Sequence, residues 1–116
     1  MIKFFRYKAL RHILAGVVVA QLVSCGPTYI APPVTMELAK GSPAPKSRLE
    51  RGFEIHRMKC AKCHAFEDPA DYAPDELEFD IMPEMARKSK LDDADADAVL
   101  AYLLAAREAP PEAAPR

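Results

Sequence analysis

The chain has 116 residues and carries 16 Lys+Arg against 17 Asp+Glu, a nearly neutral balance at the size of one small domain. The charge is unevenly spread: residues 1–24 hold Lys3, Arg6, Lys8 and Arg11 and no acid, leaving 12 basic and 17 acidic side chains in the remainder. An acidic body of net charge −5 without a Lys/Arg stripe excludes nucleic acid as a partner, because that binding rests on neutralising phosphates. Three cysteines are too few for a disulfide-stapled miniprotein.

The basic opening MIKFFRYKALRH runs into ILAGVVVAQLV, an apolar run of 11 residues. That is too short for the roughly 20 residues of a bilayer-spanning helix and has the dimensions of a secretory signal. The run stops at Leu22-Val23-Ser24-Cys25, which resembles the cleavage box of bacterial lipoprotein signal peptides. The resemblance implies that residues 1–24 are removed, that Cys25 is acylated, and that the polypeptide is held on the periplasmic side of a membrane. An ordinary signal peptide with a chance cysteine is the alternative. Gly26, rather than Asp, after the cysteine favours the outer over the inner membrane.

Residues 25–46 contain Pro27, Pro32, Pro33, Pro43 and Pro45 without periodicity, and read as an extended, semi-rigid tether that holds the domain off the membrane. The domain, residues 47–108, opens at Ser47-Arg48-Leu49-Glu50, a capping box. The first helix is predicted to run to about Cys60, with Leu49, Phe53 and His56 on one face. Asp75 to Ile81 and Glu84 to Lys90 read as short helical pieces separated or kinked at Pro83. The last helix takes Asp92 as N-cap, acids in its first turn and Arg107 in its last. Its apolar stripe is Ala96, Val99, Leu100, Leu103 and Ala106, with Tyr102 beside it. Residues 109–116 read as a disordered tail, and no strand pattern appears, so the fold class is all-α. A core of this size is marginal without a staple or cofactor.

Cys60-Ala61-Lys62-Cys63-His64 supplies one: it is the C-x-x-C-H signature of covalent c-type haem attachment. Two thiols three residues apart at a helix end reach the two vinyl groups on one porphyrin edge, and the next residue offers an imidazole to the iron. A zinc site needs four ligands, and beyond these three only His56 is close in sequence. A thioredoxin-like redox pair needs a strand and a βαβ surround. The cysteines divide without remainder: Cys25 for lipid, Cys60 and Cys63 for haem.

With these residues in view, the stretch 48–106 resembles a class I c-type cytochrome domain. Gly52 stands eight residues before Cys60, Ile55 occupies the family's aliphatic position, and Leu91-Asp92-Asp93-Ala94-Asp95 through Val99-Leu100-Ala101-Tyr102-Leu103 matches its closing helix. The resemblance implies a small helical domain wrapped around one covalently bound haem c, with Gly52 meeting Tyr102 where first and last helices cross. His56, where an aromatic usually packs, is read as a structural side chain. Only 27 residues separate His64 from the last helix. This is similar to the compact monohaem cytochromes that partner periplasmic dehydrogenases. By this likeness His64 is the proximal iron ligand and a methionine the distal one. Met36 lies in the tether and Met58 on the attachment helix, which leaves Met82 and Met85. Met82 precedes a proline, as ligands of the class often do; Met85 stands six residues before Leu91, as in the compact group, and is preferred.

From His64 to Ala86 there are eight acids and no Lys or Arg, while Arg48, Arg51, Arg57, Lys59 and Lys62 gather around the first helix. This polarity reads either as a solvated loop or as a steering patch for redox partners. The expected function is single-electron transfer between periplasmic redox proteins, without catalysis of its own. A permanently docked haem subunit of a larger oxidoreductase and a five-coordinate haem sensor or peroxidase are the alternatives. Oligomeric state is not legible.

Overall fold

A computed structural model describes residues 29–109. The stretch 1–24 read as a signal peptide, Cys25 and the tail from residue 110 lie outside the described residues. Five α-helices follow in chain order: α1 Met36–Lys40, α2 Lys46–Met58, α3 Pro74–Glu76, α4 Met82–Ser89 and α5 Asp93–Arg107. Tight 3₁₀ turns occupy Cys60–Lys62 and Pro69–Asp71, and a π-helical turn, Leu77–Ile81, joins α3 to α4. There is no strand among the described residues, so the fold is all-α. No described helix is long and apolar enough to cross a membrane.

Helix α2 starts two residues earlier than the capping box places it. Pro45 is the N-cap and has no side chain to offer, but its carbonyl accepts from the Arg48 (2.9 Å) and Leu49 (3.3 Å) amides. Those bonds draw Lys46 and Ser47 into the first turn, and Glu50 pairs with Lys46, four residues back, instead of reaching to the cap. The helix ends at Met58, where the Lys59 amide closes on the Ile55 carbonyl at 2.8 Å, two residues short of Cys60.

Helix α5 begins where expected: the Asp92 carboxylate accepts from the Asp95 amide at 2.8 Å, and Asp93 and Asp95 occupy the positive end of the helix dipole. The buried face is turned from the expected stripe. Asp95, Ala98, Val99, Tyr102 and Ala106 are buried, while Ala96, Leu100 and Leu103 flank them half-exposed. The reason sits across the interface. A β-carbon at position 52 would lie 2.0 Å from the Ala98 carbonyl oxygen and 2.8 Å from the Tyr102 β-carbon, so only glycine admits this approach of α2 and α5. The closest approach draws the 98/102 edge inward.

Between these helices, Pro83 shapes the chain. It has no amide hydrogen for the Phe79 carbonyl, and its ring would crowd that carbonyl in a regular helix. The helix widens just before it instead, with the Met82 amide bonding to Leu77, five residues back. The two pieces expected from the sequence are thus one helical run, in which a wide turn takes up the mismatch. Lys90, the only described non-glycine residue with positive φ (53°), ends the run: its amide and that of Leu91 close on Arg87 and Ala86 carbonyls.

The reading of residues 29–46 as a bare tether does not hold for this stretch. Ala31, Pro32 and Leu38 are buried. Ala31 shares a cluster with Tyr102 and Ala106, onto which Tyr29 and Val34 pack, and the Tyr102 hydroxyl donates to the Pro32 carbonyl at 2.8 Å. Helix α1 is capped by Thr35, whose Oγ1 accepts from the Leu38 amide at 3.2 Å. Prolines extend the chain without preventing it from packing: an extended strap can bury alternate small side chains and offer its carbonyls to a distant donor. A second cluster, Ile55, Met82 and Val99, is bordered by Leu91 and Leu100, with Leu103 touching both clusters.

Candidate functional site

The C-x-x-C-H residues sit immediately beyond α2, in the Cys60–Lys62 turn. The Cys63 amide approaches the Cys60 carbonyl at 3.4 Å, folding the two cysteines into one tight turn without joining them in a disulfide. Cys60 is half-buried; its thiol is pushed above the ordinary range by burial first and by Cys63 second, with Lys59 opposing. Cys63 and His64 are exposed. The His64 Nδ1 lies 2.7 Å from its neighbour Ala65's carbonyl oxygen. A carbonyl only accepts, so Nδ1 is the donor in this contact, and in the neutral ring the lone pair is left on Nε2, the tautomer a metal-binding imidazole needs.

His56 is a different kind of histidine. It is 7 % exposed, stacked on Phe66 (centroids 4.2 Å apart) and 5.7 Å from the Tyr102 ring. Its Nδ1 is buried without a hydrogen-bond partner. Burial, and secondarily the nearby His64, push its pKa down to about 4, which keeps it neutral. It serves as an aromatic in the core. Among the described residues no three His, Cys, Asp or Glu side chains gather as an ion-holding group.

The two methionines part company. Met82 is 5 % exposed and packed with Ile55 and Val99. Met85, one turn on, is half-buried and belongs to neither buried cluster. Met58, on α2, and Met36, on α1, are largely exposed.

Charge is sorted by pairing. Arg48 bonds Asp97, Arg51 bonds Asp95 and Lys59 approaches Asp95 at 3.8 Å, so the basic side of α2 is clamped to the acidic start of α5. Arg57 turns to Glu54 at 3.6 Å. Of the basic cluster read from the sequence, Lys62 alone has no ion-pair partner among the described residues. In the acidic stretch Glu84 pairs with Arg87 (2.8 Å) and Lys88 (3.3 Å), which hold its carboxyl down to about 2. Asp71, Asp75, Glu78 and Asp80 have no ion-pair partner among the described residues. Arg107 fastens the loop after the motif by donating from Nε to the Tyr72 carbonyl at 2.9 Å. Sequence reasoning assigns Arg107 and Asp95 only places in the last and first turns of the closing helix and does not single out Phe66; their contacts with Tyr72, Arg51 and His56 lie 35, 44 and ten residues away. The only signal was an arginine and an acid on the otherwise apolar side of α5.

No family model matches the chain, and neither a curated protein nor a solved structure matches it.

Proposed function

We propose that this protein is a lipid-anchored, single-haem c-type cytochrome of the class I kind that passes electrons one at a time between redox proteins on the periplasmic side of the membrane. The observation that carries the reading is the attachment turn itself. Cys60, Cys63 and His64 follow directly on the end of α2, the two cysteines in one tight turn, and the His64 Nδ1 lies 2.7 Å from the Ala65 carbonyl oxygen, a contact that in the neutral ring puts the lone pair on Nε2. The donor set fits haem c. Two free thiols lie at the required spacing, followed at once by an exposed imidazole, next to a helix whose buried Ile55 packs on Val99 of α5.

In this reading Cys60 and Cys63 hold the porphyrin covalently and His64 is the proximal ligand. When bound, haem supplies a one-electron Fe(III)/Fe(II) couple. Met82 is engaged in core packing with Ile55 and Val99, which favours Met85 as the distal thioether. Held by both His64 and Met85, the iron of a bound haem would have no open site for a substrate, and the chain would act as a carrier rather than an enzyme. The unpaired acids between Asp71 and Asp80 supply a face for a cationic partner. Cys25 supplies the anchor.

The test is expression with c-type maturation machinery, followed by a denaturing gel stained for haem and a reduced-minus-oxidised spectrum. One covalent haem per chain is expected, absent from Cys60→Ser/Cys63→Ser. A chain that passes through maturation without haem overturns the proposal.

A further inference from the structure

We propose that the surface around Tyr29, Ile30, Phe53 and Arg57 rests on the interface of the phospholipid bilayer that takes up this chain's own acylated amino terminus. The inference rests on the lipoprotein reading of Cys25. Its starting point is that the segment after the anchor is part of the fold. Ala31 is buried against Tyr102 and Ala106, and the Pro32 carbonyl accepts from the Tyr102 hydroxyl. Were residues 25–46 a free tether, the domain could swing up to about 70 Å from the lipid. With the strap docked, only three residues stand between Cys25 and Tyr29, a reach of about 14 Å over four Cα-to-Cα steps. A surface held that close is pressed to the interface by the anchor.

The chemistry of that surface suits the place. Ile30 is 49 % exposed despite lying between residues of the buried strap. Tyr29, Pro33, Phe53 and Phe66 form an apolar wall beside it, with Arg57 at the rim, its guanidinium 5.3 Å above the Phe53 ring. Aromatic rings at headgroup depth with a cation reaching for phosphate are what a membrane–water interface selects. Glu54 shares the charge of Arg57, so apolar contact and the acyl anchor carry the seating and anionic lipid is not required. Phe66 stands two residues beyond His64 and stacks on His56, so the attachment turn is carried at the membrane surface. The redox partner this favours is one that reaches the plane of the membrane.

The experiment places a single reactive thiol on the holoprotein, in which Cys60 and Cys63 are consumed by haem. Lipidated protein bearing Ile30→Cys is reconstituted into phosphatidylcholine vesicles and treated with a charged, membrane-impermeant maleimide. The same substitution in the non-acylated Cys25→Ser form gives the solution rate, and Ser42→Cys, in the loop before α2, is the comparison site. Seating slows labelling at position 30 by about tenfold on vesicles and leaves position 42 within about twofold of its solution rate. Equal rates at position 30 in both forms overturn the proposal, because the domain then swings clear of the bilayer. Slowing confined to anionic vesicles also overturns it. If the chain with Cys25 intact never enters vesicles, the lipoprotein reading fails and this inference with it, an outcome read before any labelling.

Discussion

Two residues bear more of this molecule than their size suggests. Gly52 lets α2 and α5 touch: a methyl group there would overlap the Ala98 carbonyl, which is backbone and cannot turn aside. Gly52→Ala should therefore push the helices apart and cost on the order of 3 kcal/mol in denaturant unfolding of the holoprotein. A loss below about 0.5 kcal/mol, the size of ordinary surface changes, would mean that the helices do not meet there. His56 stores a smaller tension in its orphaned Nδ1. Its pKa falls from an ordinary 6.5 unfolded to about 4 folded, so between those values the unfolded chain binds the extra proton. The stability that neutral His56 brings is complete above pH 6.5 and is lost as pH falls toward 4, up to ~3 kcal/mol. His56→Phe should flatten that acid limb and raise Tm at pH 5, as melting curves across the window will show. An unchanged acid limb would assign it to other groups.

At the scale of elements, the strap and the Met-bearing helix make separate demands. If residues 29–35 were linker, deleting them from the soluble Cys25→Ser form would leave stability untouched. Because they cover Tyr102 and Ala106, deletion should cost roughly 2–4 kcal/mol from lost apolar burial and the lost hydroxyl bond. Thermal unfolding with absorbance at the haem band distinguishes the two. In α4, Met82 and Met85 share a helical face but not an environment. Met85→Ala should abolish the weak near-infrared band of ferric iron–thioether ligation while the fold persists. Met82→Ala should keep the band and cost about 2–4 kcal/mol as a core truncation. The reverse pattern would exchange their roles, and survival of the band in both would remove methionine ligation.

Over the whole molecule, the α2 bases are largely neutralised within the fold, whereas much of the acidic stretch faces outward without cations among the described residues. The surface left for long-range steering is thus negative. Electron transfer to a cationic redox protein should slow several-fold as salt rises from about 0.01 to 0.2 M. Asp75→Asn/Glu76→Gln/Glu78→Gln should flatten that dependence in stopped-flow traces. A salt response that these substitutions leave intact would reduce the stretch to a solvated surface.

Local chemistry was readable without coordinates. Asp92 caps α5 because its carboxylate reaches an amide three residues on, a sequence-near contact. The all-α class followed from the same short-range periodicity. The folded structure decided everything that depends on residues far apart. The docking of the Pro-rich strap is settled by a bond between Tyr102 and Pro32, seventy residues apart, and proline content carries no trace of it. The rotation of the α5 face is settled by a glycine on another helix. That Met82 is buried against Ile55 and Val99 while Met85 is only half-buried is likewise a matter of packing, which three residues of helical spacing cannot separate. Caps and turns spend their energy within a few residues and leave a mark in the sequence; packing is settled between surfaces that meet only after the chain has closed on itself.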